Sequence, residues 1–194
     1  MSQSNENKKI KLFHKPPKGK LPALCLVFLW IAIWNSMFQL LEITHIMPHE
    51  GLRLVNWAFF MTVAVFFLQE ELTYKERFWY TLCGGAVGLL LAACVGLGKG
   101  LLVNFGLPEL AATCIPLVTI IGILILTRPF IPMFFNDVGF VYLICSFINK
   151  KTMLADLPSH LLSLVLGSII LNLGATGIIM LYRKHMAKQR AKQQ

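Results

Sequence analysis

Six apolar stretches, separated by short polar turns, occupy nearly the whole chain: 21–46, 52–69, 78–97, 107–127, 130–149 and 158–182. Each approaches the roughly 20 residues that a helix needs to cross a bilayer. Inside lipid the backbone finds no water to bond, so a spanning stretch satisfies its own amides by coiling into a helix. The expected fold is therefore all-α, a polytopic membrane bundle of six transmembrane helices. The first and last stretches are the longest and are expected to tilt. Of the 194 residues, 56% are apolar and the mean hydropathy is +0.66, and removing the six stretches leaves no water-soluble domain. What remains is a basic tail over 1–20, a second over 183–194, and the turns.

The net charge of +9 does not point to nucleic acid, because the cations flank spanning stretches. Lys8, Lys9, Lys11, Lys15, Lys18 and Lys20 precede the first, and Arg183, Lys184, Lys188, Arg190 and Lys192 follow the last. With both termini cytoplasmic, Lys75, Arg77 and Arg128 also fall inside, while Arg53, Lys99, Lys150 and Lys151 fall outside. Fourteen of the eighteen cations then obey the positive-inside rule, as an even number of spans requires. The first stretch is too long for a signal-peptide core and has no small-residue cleavage site after it, so it is expected to stay as a helix. Cys25 precedes its apolar run, which argues against a lipid-attachment site.

Cys25, Cys83, Cys94, Cys114 and Cys145 all lie within spans and form no C-x-x-C pair, so they read as small packing groups, with no metal or cofactor implied. Proline punctuates the helices. Pro22, Pro108 and Pro158 suit first turns, Pro48 ends the first span, and Pro116 predicts a kink in the fourth.

Small residues at four-residue spacing mark the third span: Gly84, Gly88, Ala92, Gly96 and Gly100 share one helix face. Ser159, Ser163, Gly167 and Ala175 nearly repeat the pattern in the sixth. Such ridges let backbones approach closely where lipid offers little hydrophobic drive. Asn56 and Asn136 stand 80 positions apart (136 − 56), and Gly88 and Gly167 stand 79 apart (167 − 88). Both pairs occur in the order helix, charged turn, small-ridged helix. Two units of three spans follow, and an odd span number makes the second unit run inverted through the membrane, a 3+3 inverted repeat. The two ridges then belong to antiparallel helices and are expected to pack together as a closed seam.

Polar groups inside the spans are the candidates for function. Asn35, Gln39 and Glu42 recur at intervals of four and three on one face of the first span. A charge near the bilayer centre costs roughly 2.5 to 3.5 kcal/mol on insertion scales, so such groups face protein or a hydrated cavity. For Glu42, reaching headgroup water is an equal alternative to lining a pore. Asn56 and the Asn136–Asp137 pair become symmetry mates under the repeat, one toward each side, as matched constrictions of a path for a small polar solute would be. Interhelical bonding is the competing role for the asparagines. Asn172, Ser163, Thr81 and Thr176 offer further hydrogen-bonding groups.

His45, His49 and His160 fall on the same expected outer side, beside Glu42 and Glu50. Simple solvation at the interface is the leading reading, with pH sensing second and metal binding third, since Pro48 breaks the helix between His45 and His49. Trp57, Trp79, Tyr74, Tyr80 and Tyr182 read as an interfacial belt, whereas Trp30 and Trp34 are deeper, in packing or lining a cavity. No nucleotide-binding loop, hydrolase elbow or zinc spacing occurs, and an enzyme is not expected.

The run Phe134-Phe135-Asn136-Asp137-Val138-Gly139, with Leu157-Pro158-Ser159 and Leu166-Gly167, resembles the small YcdZ-like inner-membrane proteins of bacteria over the last third of the chain. The resemblance implies a multi-pass protein of the inner membrane and assigns no site residues. The sequence thus points to a channel or facilitative transporter for a small polar solute, compatible with a homo-oligomer. The alternative is a non-transporting scaffold or accessory subunit that binds another membrane protein through its ridges.

Overall fold

The computed structural model describes residues 20–43, 52–69, 71–147 and 153–191, and these form helices and turns with no strand among them. In chain order the elements are α1 (Lys20–Ile43), α2 (Asn56–Leu68), α3 (Tyr74–Asn104), α4 (Glu109–Thr127), α5 (Asp137–Ser146) and α6 (Met153–Gly167). A π-helical segment (Ser168–Leu173) joins α6 to α7 (Gly174–Ala191). Four stretches are long and apolar enough to cross a membrane: Pro22–Leu41, Tyr74–Asn104, Glu109–Thr127 and the continuous rod Leu154–Gln189. Leucine, isoleucine and phenylalanine side chains stand exposed along α1, α3, α4 and the rod, as a membrane-embedded protein requires.

The other two helices are short. Among the described residues, 52–69 and 130–147 are α-helical over the 13 residues of α2 and the 10 of α5, reaching about 20 and 15 Å against the ~30 Å hydrocarbon core. Before α2 the chain is extended, and α6 supplies the backbone partners that a further helical turn would have given. Arg53 N–H donates to Ser159 Oγ (3.1 Å) and Val55 N–H to Ser163 Oγ (2.6 Å), while the Arg53 guanidinium meets Asp156 at 3.2 Å. Before α5, Pro129 and Pro132 lack the amide hydrogen a helix needs, and the segment instead folds as tight turns such as Phe130 N–H to Thr127 O (3.0 Å). Irregular backbone among apolar helices is tolerated where protein satisfies it in this way.

α3 begins earlier than its apolar stretch suggests, because Thr73 and Glu76 form a capping box: Thr73 N–H donates to Glu76 Oε2 at 2.9 Å and Glu76 N–H to Thr73 Oγ1 at 3.4 Å. Pro108 stands at the N-cap of α4, one residue ahead of the first turn that its sequence position suggested. Pro158 lies inside α6, which starts five residues ahead of it. α7 carries the helix into the basic tail as far as Ala191.

Packing pairs the elements in two groups. α3 packs on α4 and most extensively on α5, and the rod packs on α1 and α2. The groups meet where α3 crosses α6: Leu164 lies against Gly85, and Arg183 reaches over the Tyr74 ring at 5.9 Å, so α3 and the rod run antiparallel. The ridges themselves face elsewhere. A Cβ on Gly88 would strike the Gly139 carbonyl oxygen of α5, and one on Gly167 the Phe59 carbonyl oxygen of α2. The expected seam between the two ridges is thus replaced by two crossings, each of a small-ridged helix on a short helix. The upper part of the first ridge is open, with nothing within 4 Å of a Cβ on Gly96 or Gly100.

Candidate functional site

The two short helices approach each other where the groups join. Tyr142, fully buried on α5, donates its hydroxyl to the Ala58 carbonyl of α2 at 2.9 Å. Trp57 packs against Tyr142 and against His160, with ring centroids 5.7 and 5.2 Å apart. His160 is buried, and its Nδ1 lies 2.8 Å from the Asp156 carbonyl oxygen, which sets the Nδ1–H tautomer.

Polar bonding is complete around α5. Asn136 is the N-cap: its Oδ1 accepts from Gly139 N–H (3.0 Å), and its Nδ2 donates to the Tyr80 carbonyl of α3 (3.2 Å) and to Met133 O (3.1 Å). Gly84 leaves the room that this carboxamide fills. Ser146 Oγ donates to Tyr142 O at 2.6 Å. Asp137 is exposed and forms a two-pronged ion pair with Arg128, at 2.7 and 2.8 Å.

Around the π-helical segment the bonding is incomplete. Among the described residues, both carboxamide atoms of Asn172, Ser168 Oγ, Thr81 Oγ1, the indole nitrogens of Trp30 and Trp34 and, at the end of α2, Gln69 Oε1 are buried without a hydrogen-bond partner. Asn172, Ser168 and Thr81 have no exposed surface at all. Thr81 and Ser168 lie on elements that pack together. Ser168 lies one helical turn beyond Leu164, and Thr81 one turn before Gly85, on antiparallel helices whose contact is Leu164 to Gly85. One turn along that crossing, the two hydroxyls occupy the same stretch of the seam, where α3 touches the π segment. Asn172 follows Ser168 by four residues within the wide π turn. On the far side, Trp34 packs with Phe38, Phe59 and Leu171, and Trp30 Nε1 would lie 2.6 Å from a Cβ on Gly174.

Leaving a buried donor or acceptor unpaired costs about 1–3 kcal/mol. Several of these groups lie on or against the π-helical segment, a helix type that recurs at functional sites. Besides the Gln69 acceptor at the end of α2, the set contains two indole N–H donors, one amide that donates and accepts, and two hydroxyls that do either. It carries no formal charge, which suits a small uncharged polar molecule, water included.

The residues singled out by sequence are dispersed. Asn35 and Gln39 are exposed on α1, and Asn56 opens α2, half-buried. Glu42 falls in the last turn of α1, its side chain outside the described residues, as are His45 and His49. Asn136 and Asp137 are adjacent, the first committed to holding α5 on α3 and the second at the surface. Ser163, Gly84, Gly88 and Gly167 lie at the two crossings, Ala92 is buried against Leu143, and Gly96 is open. Ser168 and Gln69 carried no signal of their own; only the i, i+4 spacing of Ser168 and Asn172 in an apolar run hinted at a shared face. Among the described residues no group of three His, Cys, Asp or Glu side chains is placed to hold a metal ion. Comparison with protein-family models, with curated proteins and with solved structures finds no match to this chain.

Proposed function

We propose that this chain is a membrane facilitator for a small uncharged polar solute, with its binding station at the π-helical break. The observation that carries the reading is the set of unpartnered buried polar atoms on Thr81, Ser168 and Asn172, with the indole nitrogens of Trp30 and Trp34 also unpartnered toward α1. A solute leaving water loses hydrogen bonds that these groups restore, and the break in the helix supplies a joint at which the seam opens and closes.

A 3+3 inverted repeat belongs to the same proposal. The Gly88–Gly139 crossing and the Gly167–Phe59 crossing are related by nearly constant offsets of 79 (167 − 88) and 80 (139 − 59). Each short helix follows an irregular entry segment, and each packs on the long helix of the other half, α5 on α3 and α2 on α6. Short helices at matching places in two halves mark the binding region of many transporters. The distribution of cations supports cytoplasmic termini, and the resemblance to YcdZ-like proteins suggests the bacterial inner membrane.

The test is stopped-flow light scattering on liposomes reconstituted with the full chain, against glycerol, urea, formamide and water. At least one solute is expected to equilibrate faster than in empty liposomes, and Asn172→Leu is expected to remove that excess. Rates equal to those of empty liposomes for the whole panel rule the proposal out.

A second reading rests on the open half of the first ridge. Gly96 and Gly100 present a small-residue face that no described residue covers within 4 Å, as a contact for a second copy or another membrane protein would. It predicts that Gly96→Leu disperses an oligomer or releases a co-purifying subunit while leaving the monomer folded.

A further inference from the structure

A groove of about 490 Å³ runs between α1 and α7. Leu29 and Ile33 line it from α1, Leu181 from α7, and Tyr182 and His185 bring a hydroxyl and an imidazole to one end. Its charge surroundings are one-sided. Residues 174–191 contain Arg183, Lys184, Lys188 and Arg190 and no acidic residue. Lys188 follows His185 by three positions and so continues the lined face by one turn, and both Lys184 and Lys188 are exposed. Arg183 is turned away, over the Tyr74 ring.

The helices that form the walls run antiparallel: Val27 packs with Ala175 and Ile179, whereas Phe38, farther along α1, packs with Leu171. The start of α1 at Lys20 therefore lies at the same end as His185 and Lys188. An apolar channel thus leads to hydrogen-bond donors and then to cations.

We propose that this groove is a binding site for one anionic phospholipid, an acyl chain lying along Leu29, Ile33 and Leu181 and the headgroup phosphate facing Tyr182, His185 and Lys188. Lipid tails are as apolar as the groove walls, so the acyl contact adds little preference for one lipid over another, and selection comes from the headgroup. A phosphodiester without a compensating amine keeps its full attraction to the cations, whereas a choline headgroup cancels it.

Native mass spectrometry of the full chain, with dioleoylphosphatidylglycerol and dioleoylphosphatidylcholine supplied in equal amounts, tests the site. The phosphatidylglycerol adduct is expected to survive collisional activation that strips phosphatidylcholine. Lys184→Gln and Lys188→Gln are each expected to lower the ratio of the two adducts about fivefold, since a basic residue near such a surface contributes ~1 kcal/mol. Ile33→Trp, which fills the groove, is expected to reduce the phosphatidylglycerol adduct while Lys184 and Lys188 remain. Equal retention of both lipids by the unaltered chain overturns the proposal. So does an unchanged ratio in the double variant Lys184→Gln/Lys188→Gln, whose exposed positions leave folding intact.

Discussion

The surroundings of α5 and those of the π-helical segment each bury an asparagine, yet they treat their polar groups in opposite ways. Asn136 makes three hydrogen bonds within 3.2 Å, joining its own helix, the preceding turn and α3. Asn172, just as deep, makes none. An amide costs the same to bury in either place, so the difference lies in what completes it. The first amide is a structural joint completed by the chain. The second is completed by no group among the described residues.

Substitutions at paired positions set this contrast against measurement. The largest effect is expected from Gly88→Leu, because the added side chain meets the Gly139 backbone and no side-chain rotation relieves it. The loss should be about 3 kcal/mol or more, seen as failure to yield monodisperse protein or as a large drop in thermal midpoint in detergent. Asn136→Ala is next. It removes the cap of α5 and its bond to Tyr80, a cost of about 2–3 kcal/mol in the same assay. A stability near that of the unaltered chain would mean that α5 is not held by its amide and that the two regions are alike.

Asn172→Leu carries the opposite sign. Replacing an unpartnered buried amide with an apolar group of similar volume should raise stability by about 1 kcal/mol while abolishing solute flux. Destabilisation there would show that Asn172 is a structural joint as well. Asp137→Asn breaks an ion pair whose side chains are 76% and 53% exposed, and should change stability by less than ~1 kcal/mol. Gly96→Leu should stay within about 0.5 kcal/mol in the monomer, since nothing lies within 4 Å of the new Cβ. Its effect, if any, belongs to assembly.

The site was only partly legible beforehand. Asn136 stood out because amides inside apolar stretches are rare, but a sequence pattern does not distinguish an amide that finds three partners from one that finds none. Thr81 and Asn172 were visible as extra hydrogen-bonding groups; Ser168 was not, since a lone serine in an apolar helix usually bonds its own backbone. Asn35 and Gln39 share a face with Glu42 by spacing alone, and that face of α1 is exposed where its neighbours Val27 and Phe38 turn inward to α7 and the π segment. His160, grouped by charge type with His45 and His49, is buried against Trp57 by the packing of α6 on α2.

By itself the sequence determined the class of fold, because runs of apolar residues near bilayer length have few ways to satisfy their backbone amides in lipid. It also determined where backbones come closest, since glycine at four-residue spacing leaves a groove on one helix face whatever packs there. Only the tertiary structure decided which partner enters each groove, the short α5 at Gly88 and the short α2 at Gly167, and why those helices are short. Ser159 and Ser163, a hundred residues away in the chain, bond the backbone that α2 leaves uncoiled. Helix periodicity is a local property and is written in neighbouring residues. The completion of a buried hydrogen bond depends on groups brought together from distant ones.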